Sequence, residues 1–241
     1  LHDYVVVGAG GAGSVVAGRL AAAGHSVKLL EAGQRTQAAL GGCATAEQRL
    51  RAHCPYVSAG ERADNLSVFD VPLGWLEIVT RPELVRAFEW NLTGAWPNTT
   101  VPSVARAVGG CGIHNAMIYM RGTALDFAPG GMWSAHDGWD WDTVLQYYLK
   151  SENNSDFHSS PYHSTRGPVQ ISRVAPEDRS SASGLFERAA VESGKAVYNA
   201  DFNGERRLGV GPYQFLIRNG VRDSTATAFL GIHRYGNVSH G

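Results

Sequence analysis

A chain of 241 residues with 44% hydrophobic content can bury a core, in one large or two small domains. Its net charge of −1 gives no electrostatic case for nucleic acid or for a membrane surface. No apolar run approaches the roughly 20 residues that span a bilayer, and Cys43, Cys54 and Cys111 form no metal-binding pattern. Cys43 and Cys54 are near enough in sequence to pair, although spacing alone does not show it.

Residues 3–33, DYVVVGAGGAGSVVAGRLAAAGHSVKLLEAG, read as strand, glycine turn, helix, strand and acidic end. Asp3–Val7 is short and rich in Val, which predicts a buried strand. Gly8, Gly10 and Gly13 then give G-x-G-x-x-G: the first for the tight turn, the second for close approach of a pyrophosphate, the third for helix–strand packing. The helix that follows aims its free N–H groups and dipole at that phosphate. Gly24 ends it, Val27–Leu30 is the second strand, and Glu31 lies 18 residues after Gly13, placed to accept ribose hydroxyls. The motif implies a dinucleotide and does not choose between FAD and NAD(P), except that a carboxylate at Glu31 repels the 2′-phosphate of NADP.

Residues 34–70 are loop-like, with a short helix suggested at Ala46–Ala52. Glu83–Trp90 reads as a helix or an irregular turn, and Trp90 and Trp96 as packing residues. Residues 104–122, VARAVGGCGIHNAMIYMRG, carry a second glycine cluster at Gly109, Gly110 and Gly112, flanked by Arg106 and Arg121. Glycines there allow the backbone close to something flat or charged, which suits a larger cofactor such as FAD. Cys111 reads as a small buried residue.

Trp141–Ser151 is amphipathic, with Asp140 or Asp142 as cap. Val169–Ile171 is a strand. Ala182–Ser193 is a helix with Leu185, Phe186, Ala189 and Ala190 on one face and Gly194 at its end, and Thr225–Leu230 is helical. Sequons at Asn65, Asn91, Asn98, Asn153 and Asn237 favour a secreted protein. Of the nine histidines, His2, His136, His158 and His163 read as surface or loop residues, none at a spacing that suggests a triad or metal site.

Taken together, these stretches resemble the glucose–methanol–choline (GMC) family of FAD-dependent oxidoreductases. VVVGAGGAGSVVAGRLA…VKLLEAG is similar to that family's FAD fingerprint, and GGCGIHNAMIYMRG to its first signature. DGWDW with VLQYY, SENN at Ser151–Asn154, YHSTRGPVQIS, DFNG at Asp201–Gly204, GVGPYQ and GVRDSTATAFL resemble later family segments in the same order. The likeness covers the chain except residues 34–70. It implies an α/β fold: an FAD-binding Rossmann-like domain with the beginning of an inserted substrate domain, incomplete at the C-terminus. Residues 1–33, about 100–125 and about 205–241 are expected mainly in the FAD part, and about 126–204 on the substrate side.

The resemblance places FAD against Gly8, Gly10, Gly11, Ala12, Gly13, Glu31, Ala32, Arg106, Gly109, Gly110, His114, Asn115, Ala116 and Met117. His114 aligns with the histidine that choline oxidase bonds to its flavin, whereas AMIYMRG is closer to the alcohol-dehydrogenase form. The implied reaction is oxidation of a primary alcohol to an aldehyde, with hydride passing to flavin N5 and oxygen or another acceptor reoxidising the flavin. The family's catalytic histidine is expected beyond Gly241, so the chain reads as an N-terminal fragment with no catalytic residue of its own. Alternatives are another FAD reaction on this scaffold (photodecarboxylase or hydroxynitrile lyase), an inert truncated chain, and a plain NAD-dependent dehydrogenase, which would leave the later motifs unexplained.

Overall fold

The structure is a computed structural model and describes residues 1–33, 72–80, 85–90, 99–131, 133 and 136–231. In chain order its elements are β1 (Tyr4–Val7), α1 (Gly11–Ala22), β2 (Val27–Leu30), α2 (Trp75–Ile78), β3 (Val85–Trp90), β4 (Thr99–Ala105), α3 (Ala124–Phe127) and α4 (Trp141–Ser151). There follow β5 (Glu152–Asn154), β6 (Val169–Arg173), α5 (Ser181–Glu192), β7 (Gln214–Phe215), β8 (Ile217–Arg218), β9 (Val221–Arg222) and α6 (Thr225–Phe229). The suggested helix at Ala46–Ala52, Cys43, Cys54 and Trp96 lie outside the described residues.

The chain forms two compact units: Leu1–Met117 with Asn219–Gly241, and Ile118–Arg218. Residues 118–125 and 205–218, expected with the FAD part, therefore pack with the second unit. The reason is local: Ile118 bridges Phe215 and the Tyr119 N–H donates to the Gln214 carbonyl at 2.8 Å.

In the first unit β1 and β2 are parallel, in register from Tyr4↔Val27 to Val7↔Leu30. Parallel neighbours need a crossover, and α1 supplies it. Gly24, at φ +90°, releases the chain from α1 into β2. Buried Ser14 donates its hydroxyl to the Ala9 carbonyl at 2.9 Å, tying α1 to the glycine turn. β1 is more open than expected: Val5 and Val7 are 57% and 82% exposed. Among the described residues β2 is the strand beside it, so its other edge and part of its face are uncovered. Glu83–Trp90, read as a helix or turn, contains a strand instead. β3 pairs antiparallel with β4, and a register shift between Arg86 and Phe88 breaks the two-residue period by which a strand is recognised.

Among the described residues, two apolar clusters hold this unit. Ile78, Ala105, Ala107 and Ile113 form one, with Val85 against it, and Ala9, Val108 and Ala226 the other, with Leu29 and Leu230. The second reaches from the first glycine turn to α6, which lies along α1. At their crossing a Cβ on Gly18 would come within 2.3 Å of the Phe229 carbonyl oxygen. In an open helix Gly→Ala gains about 1 kcal/mol. Here the clash is with backbone, so Gly18→Ala is expected to destabilise by about 1–3 kcal/mol. Urea unfolding reads this directly, and a raised midpoint would show that the helices do not touch there.

In the second unit α4 spans the expected residues, with Asp140 as its cap: Oδ1 accepts from the Thr143 N–H at 2.9 Å. β5 and β6 are parallel, and β6 pairs antiparallel with β7. α5 covers the expected helix, yet Leu185 and Phe186 on its apolar face are 58% and 68% exposed. Asn153, the sequon that falls among the described residues, lies in β5 and donates its side-chain amide to Gln170 Oε1 at 3.1 Å.

Candidate functional site

The first glycine turn joins β1 to α1. Gly8 has φ +93°, a conformation that side chains resist. A Cβ on Gly13 would sit 1.9 Å from the Gly8 carbonyl oxygen, so glycine is required for α1 to start this close to the strand. α1 begins with no side-chain cap at Gly10, and Gly11 and Ala12 are exposed. An uncapped helix start with small exposed residues is an anion site in waiting, because its first N–H groups and the positive end of the dipole lack a partner from a cap.

Glu31 closes the turn from below. Its Oε2 accepts from the Ala9 N–H at 2.8 Å and its Oε1 from the Gly33 N–H at 2.7 Å. Each oxygen keeps a second lone pair for another donor. Ala32, between them, is exposed. A Cβ on Gly33 would meet the Arg106 carbonyl oxygen at 2.1 Å, so the end of β2 is packed against the end of β4. The Arg106 side chain itself is exposed.

The second glycine turn lies on the first. The Gly109 N–H donates to the Ala9 carbonyl at 2.7 Å, with Gly109 at φ +101°. A Cβ on Gly110 would come within 2.9 Å of Gly10 Cα. Gly110 is thus glycine because another glycine backbone lies against it, in addition to anything a ligand requires. From Gly110 to Ile113 the chain makes a tight turn that buries Ile113 and leaves Cys111 exposed. This corrects the reading of Cys111 as buried: Ile113 takes the inward position of the turn.

His114 is buried, and its Nδ1 lies 3.1 Å from the Cys111 carbonyl oxygen. A carbonyl only accepts, so Nδ1 is the donor in this contact. Asn115 is exposed and folds back, its Oδ1 accepting from the Met117 N–H at 3.0 Å. Ala116 is half-buried, and Met117 is buried with φ +59°, a left-handed position for a residue with a side chain. Arg222, to which the sequence assigned no role, reaches this turn from β9. Its Nη1 donates to Asn115 O at 2.7 Å and to Asn115 Oδ1 at 2.8 Å. The two partners are 107 residues apart, so no spacing could reveal them.

A second cluster, in the other unit, was also missed. His163, read as a surface or loop residue, is buried. Its Nδ1 lies 2.5 Å from Glu152 Oε1 and its Nε2 2.9 Å from Asp201 Oδ2. Carboxylates only accept, so both ring nitrogens carry protons and the ring is a cation between two anions. Burial alone would lower the His163 pKa, but the bonds to Asp201 and Glu152 outweigh it and raise the pKa above the usual histidine value. Burial likewise opposes ionisation of Asp201, and the bond from His163 prevails and lowers its pKa. Buried Arg121 donates to Glu152 Oε2 at 3.0 Å and to the Tyr162 carbonyl at 2.8 Å. Tyr119 donates to the same Oε2 at 3.0 Å; burial first, then Glu152, pushes its phenol well above the ordinary tyrosine range, so it stays a donor. Asn154 donates to Glu152 Oε1 at 2.7 Å, and Asn203 accepts from the Arg121 N–H at 2.9 Å. Among the described residues these contacts include no serine or cysteine, and the cluster reads as the polar centre of its unit. Among the described residues no group of three or more His, Cys, Asp or Glu could hold a metal ion, and no helix is long and apolar enough to cross a membrane.

The parallel pair β1–β2, the crossover α1 with its glycine start and the acid at the end of β2 define a Rossmann-like dinucleotide-binding fold. A family model described as GMC oxidoreductase matches residues 2–237. The chain is 31% identical over 240 residues to an alcohol dehydrogenase [acceptor] of Pseudomonas putida, covering 95% of this chain and 36% of that protein. It is 31% identical over 234 residues to an oxygen-dependent choline dehydrogenase of Vibrio vulnificus, with the same coverage of each. The fold matches the crystal structure of pyridoxine 4-oxidase from Mesorbium loti with a TM-score of 0.73 at 24% identity, over 97% of this chain and 40% of the other. The chain belongs to the GMC oxidoreductase family, and it spans about 36% of the length of the curated relatives it matches.

The residues present fit FAD. Gly110 lies against Gly10, Gly11 and Ala12 are exposed with small or no side chains to crowd a ligand, and Glu31 retains acceptor capacity.

Proposed function

We propose that this chain supplies the FAD-binding part of an oxidoreductase that converts an alcohol to an aldehyde. The observation that carries the reading is the pair of interlocked glycine turns over an uncapped helix start, with Glu31 tied beneath them. FAD, when bound, supplies the hydride acceptor. The backbone N–H groups of Gly11, Ala12 and Gly13 hold the pyrophosphate, and the remaining lone pairs of Glu31 accept ribose hydroxyls. A carboxylate there disfavours a 2′-phosphate. Arg106, Gly109, Gly110 and the turn His114–Met117 complete the cofactor wall in this reading, and none of them takes the substrate's hydroxyl proton. The substrate is a small-molecule alcohol, and the electron acceptor is oxygen or another oxidant.

The test is made on the full-length reading frame. Purified protein is expected to carry yellow flavin that bleaches anaerobically when a primary alcohol is added. Colourless protein that takes up no added FAD overturns the cofactor assignment. Flavin that alcohols never bleach, with CO2 released only under blue light, overturns the reaction in favour of a decarboxylase. His114 is the residue whose imidazole would bond a flavin methyl group in the covalent form of this reading. Acid precipitation reads this: colour that stays in the pellet and is lost in His114→Ala marks a covalent bond, and free FAD in the supernatant excludes it.

A further inference from the structure

We propose that Arg222 is a positioning residue for the cofactor wall: it locks the turn His114–Met117 in the shape that faces the flavin. The proposal rests on the FAD reading above and adds to it a residue distant in sequence from the family's glycine motifs.

Three observations carry it. First, Arg222 is 4% exposed, so its charge is withdrawn from solvent and is held by partners within the protein. Second, its Nη1 donates to both the main-chain oxygen and the side-chain oxygen of Asn115, at 2.7 and 2.8 Å. A charge-assisted bond of this kind is stronger than a neutral one. Third, the residue it grips is the pivot of a strained turn. Asn115 Oδ1 also accepts from the Met117 N–H at 3.0 Å, and Met117 sits at φ +59°. Such a backbone persists where its surroundings over-determine it.

The consequence concerns Asn115. With Oδ1 engaged by two donors, the amide orientation is fixed, and its NH2 group is turned away from Arg222. Asn115 is exposed, so that donor is presented on the open side of the turn. Arg222 therefore sets which group of Asn115 a cofactor meets, without touching the cofactor itself. Its place in the chain supports this. β9 leads directly into α6 through buried Asp223 and Ser224, where the Ser224 side chain accepts from the Thr227 N–H at 3.2 Å and caps the helix. α6 in turn packs on α1, so the arginine is held by the same framework that holds the first glycine turn.

The experiment compares wild type, Arg222→Lys and Arg222→Met in the full-length protein. It measures FAD affinity, the flavin absorption spectrum and the melting temperature. Loss of the charged donor to both oxygens of Asn115 predicts roughly tenfold or more weaker FAD binding in Arg222→Met. A shifted flavin spectrum is expected with it, because the Asn115 amide is freed to rotate. Arg222→Lys keeps a charge that reaches one of the two oxygens and should recover part of the affinity while the spectrum stays shifted. If Arg222→Met fails to fold, Arg222→Lys alone decides: a shifted spectrum at a near-native melting temperature supports the proposal. Wild-type spectrum and affinity in a folded variant overturn it. A wild-type protein that binds no FAD overturns the cofactor reading, and this proposal with it.

Discussion

Glu152→Ala is expected to destabilise the protein by about 3–5 kcal/mol, the cost of breaking a buried ion pair by removing one partner. Glu152 is 1% exposed and accepts from Arg121, Tyr119, Asn154 and His163. Its loss leaves a guanidinium with 2% side-chain exposure deprived of its carboxylate. Asp201 remains beside His163, so the imidazolium keeps one anion, and Arg121 is the group left in difficulty. The apolar contacts nearby are few: the second unit buries Phe127, Val144, Val169 and Ile171, whereas its polar centre includes Arg121, Glu152, Asn154, His163, Asn203 and Gln214. The measurement is denaturant unfolding of wild type, Glu152→Ala and Glu152→Gln. A loss below about 1 kcal/mol, the level of an exposed pair, would mean that water reaches the cluster.

The same cluster sets a pH dependence. The His163 pKa is raised on folding, so its stabilising contribution is complete below the unfolded histidine value of about 6.5 and is lost as pH rises through the higher folded value. The Asp201 pKa is lowered, so its contribution is complete above about 3.9 and is lost as pH falls through the lower folded value. Both describe one contact, seen from its two partners. Stability from this contact is therefore greatest between about pH 4 and 6.5 and declines on the alkaline side. His163→Gln removes the titrating ring and should flatten that alkaline decline; an unchanged slope would place its origin elsewhere.

What the sequence disclosed and what it hid divide along chain distance. The β1–α1–β2 unit was legible because each of its signals is local: a Val-rich strand, glycines at fixed offsets, a helix closed by Gly24 and an acid at the strand end. α4 was legible for the same reason, down to Asp140 as its cap. β3 was not, because its bulge removes the period that marks a strand. His163 was misread because Glu152 and Asp201 lie 11 and 38 residues away, and spacing says nothing about such partners. Family resemblance fared differently. SENN, the segment around His163 and DFNG each resemble family segments, and the fold brings Glu152, His163 and Asp201 from them together. The motifs marked residues that matter without saying to what. Gly110 shows the reverse case: its close approach was expected to be to something flat or charged, and the approach the structure shows is to the protein's own Gly10.

The glycines of the first turn are expected to separate into two kinds when replaced by alanine. A Cβ on Gly13 would meet the Gly8 carbonyl carbon and oxygen at 3.0 and 1.9 Å, both backbone atoms that cannot swing aside. Gly13→Ala must push α1 off β1, and the expected loss is about 3 kcal/mol, the upper end for overpacking. The helix start would move with it, so flavin retention should fail as well. Gly10 differs. Its φ is −75°, open to any residue, and the nearest atom to a Cβ there is Gly110 Cα at 4.0 Å, an ordinary contact. Among the described residues nothing requires glycine at that position. If a pyrophosphate passes over it, Gly10→Ala should unfold within about 0.5 kcal/mol of wild type, as substitutions without steric conflict do, yet bind FAD much more weakly. The two variants thus separate folding from ligand approach within one four-residue stretch. Thermal melts of the apoprotein and FAD titration, run on both, give the answer. Gly10→Ala with undiminished affinity for FAD would mean that the cofactor's phosphates do not lie against that backbone, whatever the spacing of the glycines suggests.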